Sequence, residues 1–261
     1  MSLTINTNLE AMNAQRNLNA TQGMLSTAMQ SLSSGLRINS AADDVAGYAI
    51  SQRLQGQVNG LNQAAQNSQD AVSLAQTAQG SLNDVTQMLQ RVRELAVQYA
   101  NGTTSSTDQA AIQSEVNQLV SEIDRVGETT QFNGVDLLSG ATTISFQVGA
   151  NDGEVIAVTT ITLSAAIGEI SLTSISGIDA ALSAVSSAAG DFGSVQNRIQ
   201  YTESNLEVYS QNLSSAVSSI VDVNMAAEMT AFTKDQVLQQ AGVSILAQAN
   251  ALPQAVLKLL Q

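Results

Sequence analysis

The chain has no cysteine, no histidine and no tryptophan among its 261 residues, one proline and only 3% aromatic residues. Each absence excludes something. Without cysteine there is no disulfide framework and no thiolate metal site, so the chain can enter oxidising surroundings without mispairing. Without histidine there is no HExxH zinc site, no histidine-based triad and no general base of the commonest type. Basic residues are scarce, nine against 22 acids, for a formal charge of −13. None lies between Arg125 and Arg198, a stretch that carries Glu128, Asp136, Asp152, Glu154, Glu169, Asp179 and Asp191. This balance argues against nucleic acid as a partner, and the acidic middle reads as a solvated, self-repelling outer surface. Nowhere do about 18 apolar residues run together as a membrane span requires. The opening "MSLTINTNLEAMNAQRNL" also lacks the basic and apolar regions of a cleavable signal peptide. The expectation is residence in the cytoplasm, or exit by a route that does not read such signals.

What is present favours helices. The 44% apolar content is largely Ala, Val, Leu and Ile, and with abundant Ser, Gln and Asn it suits long, close-packed helices that the lone Pro253 does not interrupt. Ala11, Ala14, Leu18, Thr21, Leu25, Ala28 and Leu32 step alternately by three and four, the seam of a coiled coil. After "SSGLRINS", Ser40 and Asp43 form an S-x-x-D helix start signal, repeated at Ser105 with Asp108 and at Ser176 with Asp179. The helix expected from the first signal keeps its stripe from Leu54 to Tyr99 and stops at "NGTTSS". A shorter one follows through Ile112, Val116, Leu119, Ile123 and Val126. Residues 142–158 then alternate as a β-hairpin around "GANDGE". From Ser176 the longest stripe runs to Val223, the antiparallel partner of the long helix before it.

The chain closes on "QQAGVSILAQANALPQAVLKLLQ" with a stripe of Leu238, Ala241, Ile245, Ala249, Leu252, Val256 and Leu259. The fold class expected is therefore mainly α: an elongated antiparallel helical hairpin and coiled-coil bundle with paired terminal helices and one small β-hairpin. A two-helix pair is too thin to bury both its faces. Either the ends are sealed as a coiled coil within one chain, or, the favoured reading, they order only when copies pack together.

Five segments, in order, resemble bacterial flagellin: "INTNLEAMNAQRNL", "SLSSGLRINSAADDVAGYAIS", "LQRVRELAVQYANGT", "EIDRVGETTQFNGVDLL" and "QVLQQAGVSILAQANALPQAVLKLL". The resemblance implies an inner coiled-coil domain of residues 1–42 plus 222–261, an outer shaft of residues 43–221 with the hairpin, and no further outer domains. It implies a subunit that polymerises into the flagellar filament for swimming, using Leu18, Leu25, Leu32, Leu238, Ile245, Leu252, Val256 and Leu259 as the inner-tube assembly seam. Implied partners are other copies, the flagellar secretion chaperone, the export apparatus, and the cap and junction proteins, with an extracellular location. Arg91, Leu95 and Glu115 match positions of subunit contact that a vertebrate Toll-like receptor recognises, and Leu257, Leu259 and Leu260 resemble leucines sensed by cytosolic receptors. Ala42, where the family commonly has a basic residue, and the run Ser219 to Asn224 depart from the family's charge pattern. The ion pairs lost there are worth about 0–1 kcal/mol each when exposed.

Other chemistry is weakly represented. Asp43 and Asp44 diverge on a helix and read as capping, not as a metal site; a Ser-Lys dyad would have only Lys234 or Lys258, with no Gly-rich loop beside either. No enzymatic activity and no cofactor are expected. The sequons at Asn19, Asn101 and Asn212 are short patterns expected by chance. The alternatives to a filament subunit are a hook-filament junction protein, which shares the ends without unlimited self-assembly, and a secreted helical adhesin that binds a foreign helix.

Overall fold

The computed structural model describes residues 7–168 and 170–259, with side chains through residue 251. The elements are α1 (Leu9–Ser34), α2 (Val45–Tyr99), α3 (Ser106–Thr129), the strand pair β1 (Gln131–Phe132) and β2 (Val135–Asp136), and the hairpin β3 (Thr143–Gln147) and β4 (Val155–Thr159). After them come α4 (Leu163–Ile167), α5 (Ile175–Val221) and α6 (Met225–Leu259). The chain divides into two compact units, one of residues 1–56 with 213–261 and one of residues 57–212. The division falls inside α2 and α5.

In the second unit, the three-four stripes of α2 and α5 bury against one another. Along α2 the positions with no exposed surface are Ser68, Ala71, Ala75, Ala78, Leu82, Val85, Leu89, Val92 and Ala96; along α5, Ile178, Val185, Phe192 and Ile199 are buried with Ala181 and Ala188. Alanine at so many contact positions lets the two backbones approach closely, which is why so few aromatics suffice. The pairing is antiparallel: Ser210 donates to Asn62, Gln69 to Glu203, and Arg93 pairs with Asp179. Rising residue numbers on α2 meet falling ones on α5.

Around this pair the remaining elements close the core. Ile123 of α3, Leu137, Leu138, Val158 of β4, and Leu163 and Ile167 of α4 join Leu82, Val85, Leu89 and Phe192 in one cluster. Ala71 and Ile199 pack with Val148 and Ile156 of the hairpin region. The hairpin pairs Thr143 with Thr159 through Gln147 with Val155, and buries Ile156 and Val158 while Val155, Ala157 and Thr159 face out. Period-two alternation thus became one buried and one wet face. Gly60 of α2 is the point where the loop approaches, since a Cβ there would stand 3.1 Å from that of Ala150.

The strand pair β1–β2 and helix α4 are additions that periodicity did not show. Asn133 and Gly134 both have positive φ, 51° and 77°, the two-residue hairpin turn that Asn-Gly favours. Five residues of α4 are too few to display a period.

In the first unit, α1 and α6 are both helical and run antiparallel. Asn8 donates to the Ala249 carbonyl at 2.8 Å, Gln239 donates to Gln22, and Leu18 lies over Gly242. A seam of small residues brings the helices close enough to pair within one chain. On α1 the buried positions are Ala14, Thr21, Ala28 and Ser31, with Leu18, Leu25 and Leu32 half-buried beside them.

The two connections of this unit are tied together. Gly35, at φ 75°, ends α1, after which Leu36 bridges Asp222, the Arg37 amide donates to the Val221 carbonyl at 2.6 Å, and Val223 donates to Gly35. The Arg37 guanidinium donates to the carbonyl of Ile220 in the last turn of α5, where a cation favours the helix dipole.

Leu82→Ala is expected to lower the stability of the second unit by about 2–5 kcal/mol, because a fully buried leucine leaves a cavity. The exposed Val97→Ala should change it by under about 0.5 kcal/mol; urea unfolding followed by circular dichroism compares the two.

Candidate assembly surfaces

The stripe that α6 turns toward α1 differs from the one its leucines mark. Asp235 and Ala249 are buried, with Phe232, Gln239, Gly242 and Leu246 half-buried between and beside them, a regular three-four series. Leu238 and Ile245, placed in the seam from sequence, are 44% and 58% exposed. They lie off the stripe that meets α1. The reason is steric: Gly242 accepts Leu18 at close range, a Cβ there standing 3.3 Å from Cδ1 of Leu18, whereas an isoleucine would hold the helices apart. The side chains of Leu252, Val256, Leu257, Leu259 and Leu260 lie outside the described residues.

The apolar residues left over form outward faces on both helices. Met225, Met229, Val237, Leu238, Val243 and Ile245 are exposed on α6, and Leu9, Met12, Met24 and Met29 on α1. Met229, Thr233, Val237 and Leu238 line a shallow groove on α6 beside Lys234. So much exposed large apolar surface on a single helical pair marks an interaction surface.

On the second unit, Arg91 of α2 donates to Glu115 of α3 through Nε at 3.0 Å and Nη2 at 2.9 Å, and to Glu94 at 3.2 Å. Hydrogen bonds to Glu115 first, and then Glu94, raise the guanidinium above its ordinary pKa. Arg91 and Glu115 are about half exposed, an ion pair available to a partner. Leu95 is 2% exposed and packs with Val92, Ala96, Ile112 and Val116. Its expected role as a direct contact is therefore corrected: it supports the surface from beneath, because it points between α2 and α3.

The three start signals have different outcomes. Ser105 and Asp108 form a capping box at α3. At α2 the helix begins at Val45, not at the first signal, and it is Asp44 that accepts from the Gly47 amide at 2.9 Å. A Cβ at Gly47 would crowd the Asp44 carboxylate and Cδ1 of Ile38, the latter at 2.7 Å, so those side chains would have to shift. Ser40 and Asp43 instead close the turn just before, the Asp43 carboxylate accepting from the amides of Asn39 and Ser40 and from the Ser40 hydroxyl. At α5 the Ser174 hydroxyl accepts from the Gly177 amide, so the start lies two residues before Ser176. Asp179 is thereby free to bind Arg93 at 2.6 Å. Seams and caps built from small or polar residues, such as Gly242, Ser174 and Asp44, carry little signal in a hydropathy pattern; only the series from Phe232 to Ala249 could have revealed the true face of α6.

A body of long packed helices together with a terminal pair that turns large apolar residues outward is the build of a structural, self-associating protein. The bacterial flagellin N-terminal helical region matches residues 5–143 and the C-terminal helical region residues 175–260. Flagellin of Halalkalibacterium halodurans is 48% identical over 99% of this chain and 100% of its own length, and the flagellar filament 33 kDa core protein of Treponema phagedenis is 40% identical over the same shares. The crystal structure of Bacillus cereus flagellin is similar with a TM-score of 0.51 at 30% identity, over 54% of this chain and 88% of that one. The chain belongs to the bacterial flagellin family.

The amides of Asn39 and Ser40 hold the Asp43 carboxylate below the usual carboxylate value, the bond to Ser40 being the larger cause. A carboxylate with a lowered pKa contributes order that is present above its unfolded value and lost as pH falls through the folded one. The amides of Asn39 and Ser40 should thus keep their protection at pH 5 and lose it, exchanging faster relative to the intrinsic rate at the same pH, below the ordinary value of 3.8. Asp43→Asn should show the faster exchange already at pH 5.

Proposed function

We propose that this chain is the repeating structural subunit of a bacterial flagellar filament, a helical homopolymer outside the cell. One observation carries the reading: both terminal helices leave large apolar residues facing out after they have paired with each other, in a chain that matches flagellins along 99% of its length. Contacts between identical copies that do not close into a ring generate a helical polymer. Residues 1–42 with 222–261 act as the inner, mutually packed part, and residues 43–221 as the surrounding shaft. Leu238 and Ile245 serve there as contacts between copies, and Leu18, Leu25 and Leu32 support the pair beneath.

The finer partners belong to the same reading. The chain leaves the cell through the flagellar export apparatus, is held by a secretion chaperone at its apolar C-terminal end, and adds under a cap beyond the junction proteins. The exposed Arg91 and Glu115 surface is free in the monomer for a Toll-like receptor and serves contacts between copies in the filament.

Monomer added to sheared filament seeds should extend them into long uniform filaments visible by electron microscopy. A chain lacking residues 239–261, and a Val237→Asp/Ile245→Asp double variant, should leave the seeds at their starting length. Extension by the double variant at the native rate would sink the assignment of that face to assembly. A folded native chain that never extends a seed would instead favour the junction protein.

A further inference from the structure

The chain has seven methionines, and six of them, Met1, Met12, Met24, Met29, Met225 and Met229, lie in the unit formed by the two ends. The five with described side chains are each 48–54% exposed. Met88, the one methionine of the other unit, is half-buried against that unit's core. Five thioethers at similar exposure, spread around the faces of one helical pair, stand out in a chain whose described leucines are all buried or half-buried except Leu9 and Leu238. Methionine is the flexible, polarisable apolar side chain that adapts to imperfectly matched surfaces, so it suits helices that must pack against several neighbours at once. The same exposure leaves each sulfur open to oxidants until a neighbour covers it.

We infer that Met12, Met24, Met29, Met225 and Met229 are an oxidation site of the unassembled chain, and that their conversion to sulfoxides by peroxide blocks assembly. The inference rests on the proposed self-association. Chemically, each thioether sulfur gives a lone pair to one oxygen of hydrogen peroxide. The S–O bond forms as the O–O bond breaks, sulfur is oxidised by two electrons, and the second oxygen departs with both protons as water. The product carries a strongly polar S–O group in place of an apolar sulfur. Burying such a group without a hydrogen-bond partner is unfavourable, so a face that is apolar for packing becomes one that prefers water. Inside a filament the same sulfurs are covered, and existing filaments resist the oxidant that stops new growth.

The test uses the full-length monomer, hydrogen peroxide and peptide mass spectrometry, with seed extension measured on the same samples. The five methionines should oxidise well before Met88, and the oxidised monomer should extend seeds roughly tenfold more slowly or worse. In intact filaments the five should oxidise more slowly than in monomer. A variant with Leu at all five positions should keep its helical content, since leucine is a good helix former of similar volume, and peroxide should not lower its rate of seed extension below its own untreated rate, whatever that rate is. Methionine sulfoxide reductase should restore the native chain. Extension unchanged by five sulfoxides, or lost equally in the leucine variant, would overturn the block to assembly. Met88 oxidising as fast as the others would overturn the site. An untreated chain that fails to extend seeds would overturn the self-association reading and the block with it, while the order of sulfoxide formation would still decide the site.

Discussion

The register of α2 against α5 is the constraint on which the second unit depends. Two long helices meet through alternating three-four stripes in which alanine fills seven of the twenty buried apolar positions, so the backbones come close over many turns. Every further element takes its place from that line. α3, β4 and α4 each add one or two side chains to the cluster around Leu82 and Phe192, and the hairpin region rests on the groove near Ala71 and Ile199. A slip of one heptad would separate Arg93 from Asp179 and Gln69 from Glu203 together. Those exposed polar pairs contribute little free energy each, but they agree with the apolar stripe on one alignment.

Charge and apolar surface are divided between the two units. Residues 57–212 carry sixteen acids against four bases, while residues 1–56 with 213–261 carry six against five. Copies that meet through the nearly neutral unit bring little repulsion together and cover apolar area. The strongly acidic unit keeps separate copies soluble and favours water at its surface. A subunit built to polymerise needs both properties, and here they sit on different stretches of the chain.

Much was legible in the sequence because it is local. The alternating three-four steps marked the long helices, "NGTTSS" the end of α2, Ser105 with Asp108 the start of α3, and period-two alternation the hairpin. The segment resemblance identified the family, whose helical regions cover residues 5–143 and 175–260. Legibility failed where a pattern had more than one solution. α6 is apolar on several faces, so weighting by leucine and isoleucine selected Leu238 and Ile245, whereas the stripe that meets the partner helix runs through Asp235 and Gly242 and shares only Ala249 with the expected series. Likewise two Ser-x-x-Asp matches lay near real helix starts without forming them, since a neighbouring Asp44 or Ser174 offers the same acceptor at a better position.

The sequence by itself determined which stretches are helical, where most of them end, and that the chain's two ends are apolar out of proportion to a single helical pair. These follow from the spacing of side chains a few residues apart, which the backbone geometry of a helix converts directly into faces. Only the tertiary structure decided which face of α6 meets α1, that Leu95 lies beneath the Arg91–Glu115 pair, and that Asp179 belongs to Arg93. Those outcomes depend on the closeness of approach between segments far apart in the chain. That distance is set by where small residues from both partners coincide, and no periodicity within one segment records it.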